Sequence, residues 1–595
     1  MLEEHNMTIQ LLHPFLEAIR AYYRSRQGNQ VLLTGNIWDI YQSQAAADQY
    51  SNLIELLTDF LREKMIIVIF DITKGIQFFN QEQGNLFVEF YSRFGTARSN
   101  DQERRRWIIQ QLQESMVYPI MALSLLREIS KVIRTYRLCD NTEFDLLKTR
   151  PFCFIIRYAE TLLPPAPLDK LSENDRQKVT LIRDWFSDRD FSGSSDLVIL
   201  ISDTHAEVNQ KIKDIPHLLT VTVPYPDFDD RKRYIRMLYH EHKDNIRLKE
   251  SQNSLAHLTA GLRLRGITDV FLDAAHRRDE IDRERIISKV NQVLTRQIGD
   301  YIEILSPDHT MKDVLGNRLL KQKLMALKSR LKSFDPDIVP SGILVSGSNG
   351  VGKTFIFVAL AAESGRLPVI LKNLRSKWFG ETDAIFEKIN HVLRALGNVL
   401  ILVDEADTAF GGRGENTHET EQRLFGNVLK MMSDTANRGK IVWILLTARP
   451  DKLEPDFKRP GRCGLHIPVF DPEGKDRDEF IDLVLKKAKI DPNTFSVTEQ
   501  ETLKQITINY SAADFKEMSS ELLALKKVSD TALAAEHVLT FIKDWRPADI
   551  SQKRRLQTLQ AILHCSYKSL LPSEFTDYTP DMIEHEIKEL SLLGE

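Results

Sequence analysis

Residues Gly347, Ser348, Asn349, Gly350, Val351, Gly352, Lys353 and Thr354 constrain this chain more than any others. Their spacing is G-x-x-x-x-G-K-[ST], directly after the apolar run Ile343-Leu344-Val345 and before the helix-forming stretch 355–363. The pattern predicts a strand, a glycine-rich loop and a helix in that order. Such a loop converges backbone N–H groups on phosphate oxygens, and the helix behind it adds the positive end of its dipole. Lys353 then reaches the β- and γ-phosphates of a nucleotide, and the Thr354 hydroxyl ligates Mg²⁺.

A second motif supplies the acid. Val399 to Val403 reads as a buried strand and ends in Asp404-Glu405-Ala406-Asp407. A carboxylate at a strand end beside a phosphate loop can hold the Mg²⁺ shell, the role expected of Asp404. Its neighbour Glu405 can polarise an attacking water, which makes it the candidate general base. Alone, the cluster would read as an acidic strand cap; behind a phosphate loop, the metal reading is favoured.

From Asp313 to about Asp514 the chain resembles the AAA family of P-loop ATPases, most of all its katanin–spastin and segregase-type members. Asp313-Val314-Leu315-Gly316-Asn317 resembles the family's adenine-side segment, and Pro340-Ser341-Gly342-Ile343-Leu344 leads into the loop as the family does. Arg459-Pro460-Gly461-Arg462 is similar to its paired arginine fingers, which reach the γ-phosphate held by the neighbouring subunit. The resemblance implies ATP and Mg²⁺ as cofactors, and fingers supplied in trans imply a head-to-tail ring, a homo-hexamer. The implied fold is α/β, an AAA+ large subdomain with a parallel sheet followed by a helical lid.

Two departures from the family stand out. Ala448 occupies the place of a polar sensor, usually Asn, so Thr447 is expected to orient the water or hydrolysis to be slow. In the loop, Ser348-Asn349 and Val351 replace the usual Pro-Pro and Thr. None of these changes removes a phosphate-binding group.

Ser376-Lys377-Trp378-Phe379-Gly380-Glu381-Thr382 resembles the family's first pore loop. A flat side chain such as Trp378 or Phe379 grips an extended backbone with little regard for its sequence. The other reading, core aromatics at a sheet edge, fits less well with Lys377 and Glu381 flanking the tip. Phe410 to Gly414 suits a second pore loop or a plain surface loop.

The first half repeats this plan without its chemistry. Residues 31–36 parallel 343–348, and Met65 to Phe79 parallels the strand and pore-loop tip. Phe154 to Thr161 lies over Ile401 to Thr408, and Leu197 to Ser202 supplies a sensor-like strand. Val223-Pro224-Tyr225-Pro226-Asp227 parallels Ile467-Pro468-Val469-Phe470-Asp471. No Gly-Lys-[Ser/Thr] follows Gly35-Asn36, and Arg157 and Tyr158 stand where Asp404 and Glu405 stand. The expected organisation is a degenerate AAA-like α/β half over 1–298, the ATPase subdomain over 306–472, the lid over 473–544 and a helical tail over 545–595.

Composition narrows the function. The chain has 595 residues, 42% hydrophobic and 28% charged, and a net charge of −4. It therefore carries no broad basic field, and constitutive nucleic-acid binding is not expected. Cys139, Cys153, Cys463 and Cys565 lack C-x-x-C spacing, which predicts a reducing, cytoplasmic setting and no zinc site. No apolar run is long enough to span a membrane. The resulting expectation is an ATP-driven ring that remodels, threads or disassembles a protein partner. Two rivals stay open: a slow nucleotide-dependent assembly factor scaffolded by its inactive half, and a nucleic-acid-acting AAA+ ATPase, for which no helix-turn-helix or zinc finger is recognisable.

Overall fold

The structure, a computed structural model, describes residues 13–593 except 44–47, 96–99, 141–142, 278–279, 300, 334, 373–381, 411–418, 488–489, 530–534, 548–550 and 576. These fall into two compact units, Met1–Ile286 with Asp383–Ala395, and Ile287–Thr382 with Leu396–Glu595.

The second unit is built on a sheet whose strands run, edge to edge, Ile302–Ile304, Leu367–Leu371, Val399–Val403, Ile441–Thr447, Gly342–Ser346 and Leu465–Pro468. All neighbours are parallel except the first pair. Gly342–Ser346, Val399–Val403 and Ile441–Thr447 are buried along their whole length, which is why they read as continuous apolar runs rather than alternating ones. Leu320, Leu324, Leu327 and Leu331 make one stripe of helix Arg318–Ser333 and share a core with Ile356, Phe357 and Leu360 of helix Lys353–Ser364. The chain crosses back to place Gly342–Ser346 between two later strands, so its carboxyl end opens at a topological switch point.

Helices Gly474–Lys487, Val497–Ile506, Ala512–Ser529 and Ala535–Asp544 form the lid around Phe480, Leu503, Phe515, Leu522 and Val538. The tail that follows is packed, not pendant. Its helices Ser551–Leu563 and Pro580–Leu593 meet through Leu559, Ile562, Phe575 and Ile583. Between them the Ser566 N–H donates to the His466 carbonyl at 3.0 Å, and Leu570 enters the core beneath the sheet.

The first unit repeats this sheet: Gly75–Phe78, Ile66–Asp71, Phe152–Ile156, Leu197–Ile201, Gln30–Gly35 and Leu218–Val223. The strand registers are mutually consistent. Leu33 pairs with Ile201 as Val345 pairs with Leu446, and Phe154 with Val198 as Ile401 with Trp443. They put Gly35 at the place of Gly347, Arg157 at Asp404, Tyr158 at Glu405 and Ser202 at Thr447. The helix Thr382–Leu396 falls largely in this unit, where Glu387 accepts the N–H groups of His205 at 3.1 Å and Ala206 at 3.0 Å.

Two details of the internal alignment are corrected. Gly35 pairs with Val223, whereas Ser346 pairs with Pro468 and the next residue, Gly347, meets Val469. Val223 therefore corresponds to Val469, not Ile467. A slip of two residues keeps the same side chains on the same face, so periodicity cannot detect it. Lys74 to Phe79 is likewise no pore-loop tip: Gly75–Phe78 folds back antiparallel on Ile66–Asp71 as the edge strand. That edge is supplied in the other unit by Ile302–Ile304, from before the phosphate loop.

Candidate functional site

Each turn of the glycine loop has a steric reason. A Cβ at Gly347 would lie 2.1 Å from the Val469 carbonyl oxygen, a distance no side chain tolerates. Gly352 has φ +89° and begins helix Lys353–Ser364 from the left-handed region, where glycine carries no steric cost. The loop thus passes close to the next strand and turns directly into the helix.

Lys353 lies along this loop. Its Nζ donates to the carbonyls of Gly347 and Ser348, both at 3.0 Å. Burial lowers its pKa, while the carboxylates of Asp404, Asp407 and Asp471 act in the opposite sense. Thr354 follows, and its Oγ1 donates to Asp404 Oδ2 at 2.8 Å. A hydroxyl and an exposed carboxylate so close together are hard oxygen donors of the kind Mg²⁺ takes while keeping most of its waters, so these residues fit the ion.

The strand Val399–Val403 ends in a backbone kink. Glu405 has φ +48°, and its N–H donates to Asp404 Oδ1 at 2.9 Å. This left-handed conformation is costly for a residue with a Cβ and clusters at functional sites. Here Glu405 lines a cavity of about 820 Å³ shared with Asn349, Asp407, Ala448, Arg449, Lys553 and Gln557. Thr447 stands behind that wall: its Oγ1 donates to Asp407 Oδ1 at 2.6 Å and accepts the Arg449 N–H at 2.9 Å. Its one hydroxyl hydrogen is committed to Asp407, so Thr447 acts on the cavity through Asp407, and Ala448 presents the wall itself.

The remaining candidates are placed as follows. Asp313 accepts the Thr310 N–H at 2.8 Å and closes a turn, while the next residues meet the lid, with the Gly316 N–H donating to Glu479 at 3.0 Å. Ser348 and Val351 are buried, and Asn349 and Gly350 are exposed at the loop's tip. Arg459 is 69% exposed and pairs with Asp456 at 3.0 Å; Arg462 donates to Ser433 Oγ at 3.1 Å and to the Asp456 carbonyl at 2.8 Å. Neither arginine is among the residues that line the cavity. Trp378 and Phe379 lie outside the described residues, as do Gly411 to Gly414.

Residues that the motifs do not announce complete the site. Gln557, Lys553 and Arg554 reach it from the tail helix. Asp471, just past the last strand, pairs with Arg554; burial pushes its pKa up to about 6 against the opposing pull of Arg554 and Ser348. The one sequence signal was indirect, the Ser348-Asn349 pair in place of two prolines.

The same positions of the first unit keep the scaffold and change the groups. Tyr158 adopts φ +58° where Glu405 has its kink, and the Ser202 hydroxyl, at the place of Thr447, donates to the Thr204 carbonyl at 3.1 Å. Arg157, at the place of Asp404, pairs with Asp71 at 2.5 Å and lies 5.0 Å over the Tyr158 ring. Gly35 leads to Trp38 and the buried Asp39, which caps helix Leu264–Arg277 through the N–H groups of Leu264 and Arg265. No helix starts there to aim amides at a phosphate, and Arg157 repels a divalent cation. Calorimetric titration of the full chain with ATP·Mg²⁺ is therefore expected to give one site per chain; two sites would assign a nucleotide to the first half.

Sheet order, glycine loop, acidic strand end and helical lid define an α/β P-loop nucleotide-binding protein. Comparison with known proteins agrees. Residues 6–224 match the family described as AAA+ chaperone, N-terminal Rossmann-like domain, 229–299 match AAA+ chaperone, second helical domain, and 343–470 match the ATPase family associated with various cellular activities (AAA). The chain belongs to the AAA+ superfamily. It is 28% identical to the Cell division cycle protein 48 homolog of Archaeoglobus fulgidus over 37% of this chain and 31% of that protein. It is 28% identical to Protein SAV of Sulfolobus acidocaldarius over 39% of this chain and 29% of that protein. It is 32% identical to the ATPase family gene 2 protein of Schizosaccharomyces pombe over 32% of this chain and 23% of that protein. The chain thus spans less than a third of the length of these curated relatives. The narrower likeness to katanin and spastin rests on the motifs alone.

Proposed function

We propose that this chain is an ATPase that uses ATP hydrolysis to remodel a protein partner. The observation that carries the reading is a cavity lined by Asn349 of the phosphate loop and by Glu405 in its strained turn, with the Thr354–Asp404 hydrogen bond formed by the residue after Lys353 and the residue before Glu405. The loop amides and Lys353 bind the β- and γ-phosphates, and Thr354 and Asp404 hold Mg²⁺, which neutralises charge on the triphosphate. Glu405 takes the proton of the attacking water, and Asp407, fixed by Thr447, lines the same wall. Arg459 and Arg462 serve the site of the next copy in a homo-hexamer, since neither lines the cavity of its own chain. Among the described residues no helix is long and apolar enough to cross a membrane.

Remodelling rests on the Trp378-Phe379-Gly380 tip. Trp378→Ala is expected to keep at least half of the ATPase rate while abolishing ATP-dependent unfolding of a tagged model substrate. A variant that keeps both activities, or that no longer binds ATP, removes the threading role. A second reading, a slow nucleotide switch, is favoured by Ala448, which is apolar where the family places a polar sensor. Turnover much slower than one per minute, with client release tied to nucleotide exchange, would select the switch.

A further inference from the structure

The loop of this chain carries two polar groups that a pair of prolines would not need to satisfy. Proline has no N–H, so Asn349 brings an amide that requires a partner, and Ser348 brings a hydroxyl. Ser348 is 1% exposed, and its Oγ donates to Asp471 Oδ2 at 3.4 Å. The Asn349 N–H donates to Gln557 Oε1 at 3.2 Å, and Gln557 is itself only 2% exposed. Both partners lead to the tail. Arg554, one turn before Gln557 on helix Ser551–Leu563, pairs with the other oxygen of Asp471. The same guanidinium donates to Asp514 Oδ2 at 3.0 Å and to the Asn509 carbonyl at 3.1 Å.

Asp514 belongs to the first turn of the lid helix Ala512–Ser529 and accepts the Ser511 N–H at 2.6 Å. Beside it the Ala513 N–H donates to the Gly350 carbonyl at 3.0 Å. Phosphate loop, lid and tail are therefore closed into one network, with Arg554 joining the lid and Gln557 joining the loop. Breaking one link removes a partner from polar groups of the other two, which costs most at the buried Ser348 and Gln557 side chains.

We propose that the tail helix Ser551–Leu563 is a cis latch on the phosphate loop, with Gln557 and Arg554 as positioning residues that set the Ser348-Asn349 limb for nucleotide. The proposal rests on the ATP-binding reading above. Its chemistry is specific: the latch answers an amide hydrogen, so any acceptor at 557 serves, and an amide-free residue at 349 makes position 557 dispensable.

The test titrates ATP·Mg²⁺ into the full chain, with Lys353→Ala as reference for a lost site. Gln557→Ala is expected to weaken ATP binding three- to tenfold, about the cost of one hydrogen bond left unmade. Gln557→Glu, which also accepts the Asn349 N–H, is expected to restore most of that loss. Gln557→Ala combined with Asn349→Pro is expected to bind as Asn349→Pro alone does. Parent affinity in Gln557→Ala overturns the latch, and so does an equal loss in Gln557→Ala and Gln557→Glu, which would leave the helix a packing role only. If Asn349→Pro fails to fold, the Glu variant and Arg554→Ala, expected to show a loss at least as large as Gln557→Ala, decide it. A parent chain that binds no ATP overturns the ATP-binding reading and the latch together, whereas a parent that binds isolates the latch.

Discussion

Arg459→Ala and Arg462→Ala are each expected to lower steady-state ATP turnover by about 10³-fold without changing the chain's own affinity for ATP. An arginine finger acts on charge that develops on the transferring phosphoryl group, so its removal appears in turnover and not in ground-state binding. Arg459 makes the cleaner test. Its guanidinium is largely exposed, with Asp456 as its one carboxylate partner among the described residues, and an exposed pair contributes little to stability. Arg462 also holds Ser433 and the Asp456 carbonyl, so its alanine variant is expected to lower the melting temperature as well. Mixing Arg459→Ala with Lys353→Ala separates cis from trans. An intact site then forms only where the arginines of the Lys353 variant face the nucleotide of the Arg459 variant. Mixed rings that never recover activity would remove the trans assignment.

The second large effect lies on the loop and the kink. Lys353→Ala is expected to abolish detectable ATP binding in calorimetry, because the ammonium that now spans the Gly347 and Ser348 carbonyls is the loop's only side-chain cation. Glu405→Gln is expected to keep parent-like affinity and lose about 10²-fold or more in turnover, the effect of removing a general base. Gln and Glu pay similar costs in the left-handed region, so the φ +48° turn survives the exchange. Equal ATP affinity in the Lys353 variant and the parent would end the phosphate-loop assignment. Parent-like turnover in the Glu405 variant would move the base to Asp407. The same Glu405 variant, holding ATP unhydrolysed, is the form in which a protein partner can be retained and identified by mass spectrometry.

The phosphate loop and the acidic strand end were legible because their chemistry needs contiguous residues: amides of one turn, a lysine and hydroxyl at its end, two carboxylates at a strand tip. The sheet followed from them, since long apolar runs separated by amphipathic helices admit few arrangements other than a parallel sheet covered on both faces. The loss of chemistry in the first half was legible on the same basis, because Arg157 and Tyr158 sit in line with Asp404 and Glu405. Other features were hidden for identifiable reasons. The two-residue offset at Val223 leaves periodicity unchanged, and the edge strand Gly75–Phe78, with Phe79 directly after it, places a glycine and two phenylalanines together much as a pore-loop tip does. Thr447 was legible as a polar residue near the site, but its commitment to Asp407 depends on a hydrogen bond between residues far apart in the chain.

The sequence by itself determined the nucleotide-binding loop, the paired carboxylates at the end of strand Val399–Val403 and the α/β class, all of which are written in short segments whose geometry is local. Only the tertiary structure decided what surrounds them. Gln557 and Arg554 lie some two hundred residues from the loop they serve and belong to no spacing that a pattern could recognise. Their role arises from packing: Leu559 and Ile562 bury the far side of the tail helix, and burial there turns its polar side toward the amide of Asn349 and the carboxylates of Asp471 and Asp514. A buried polar group must find a partner wherever the fold supplies one, and the fold here supplies it from the end of the chain.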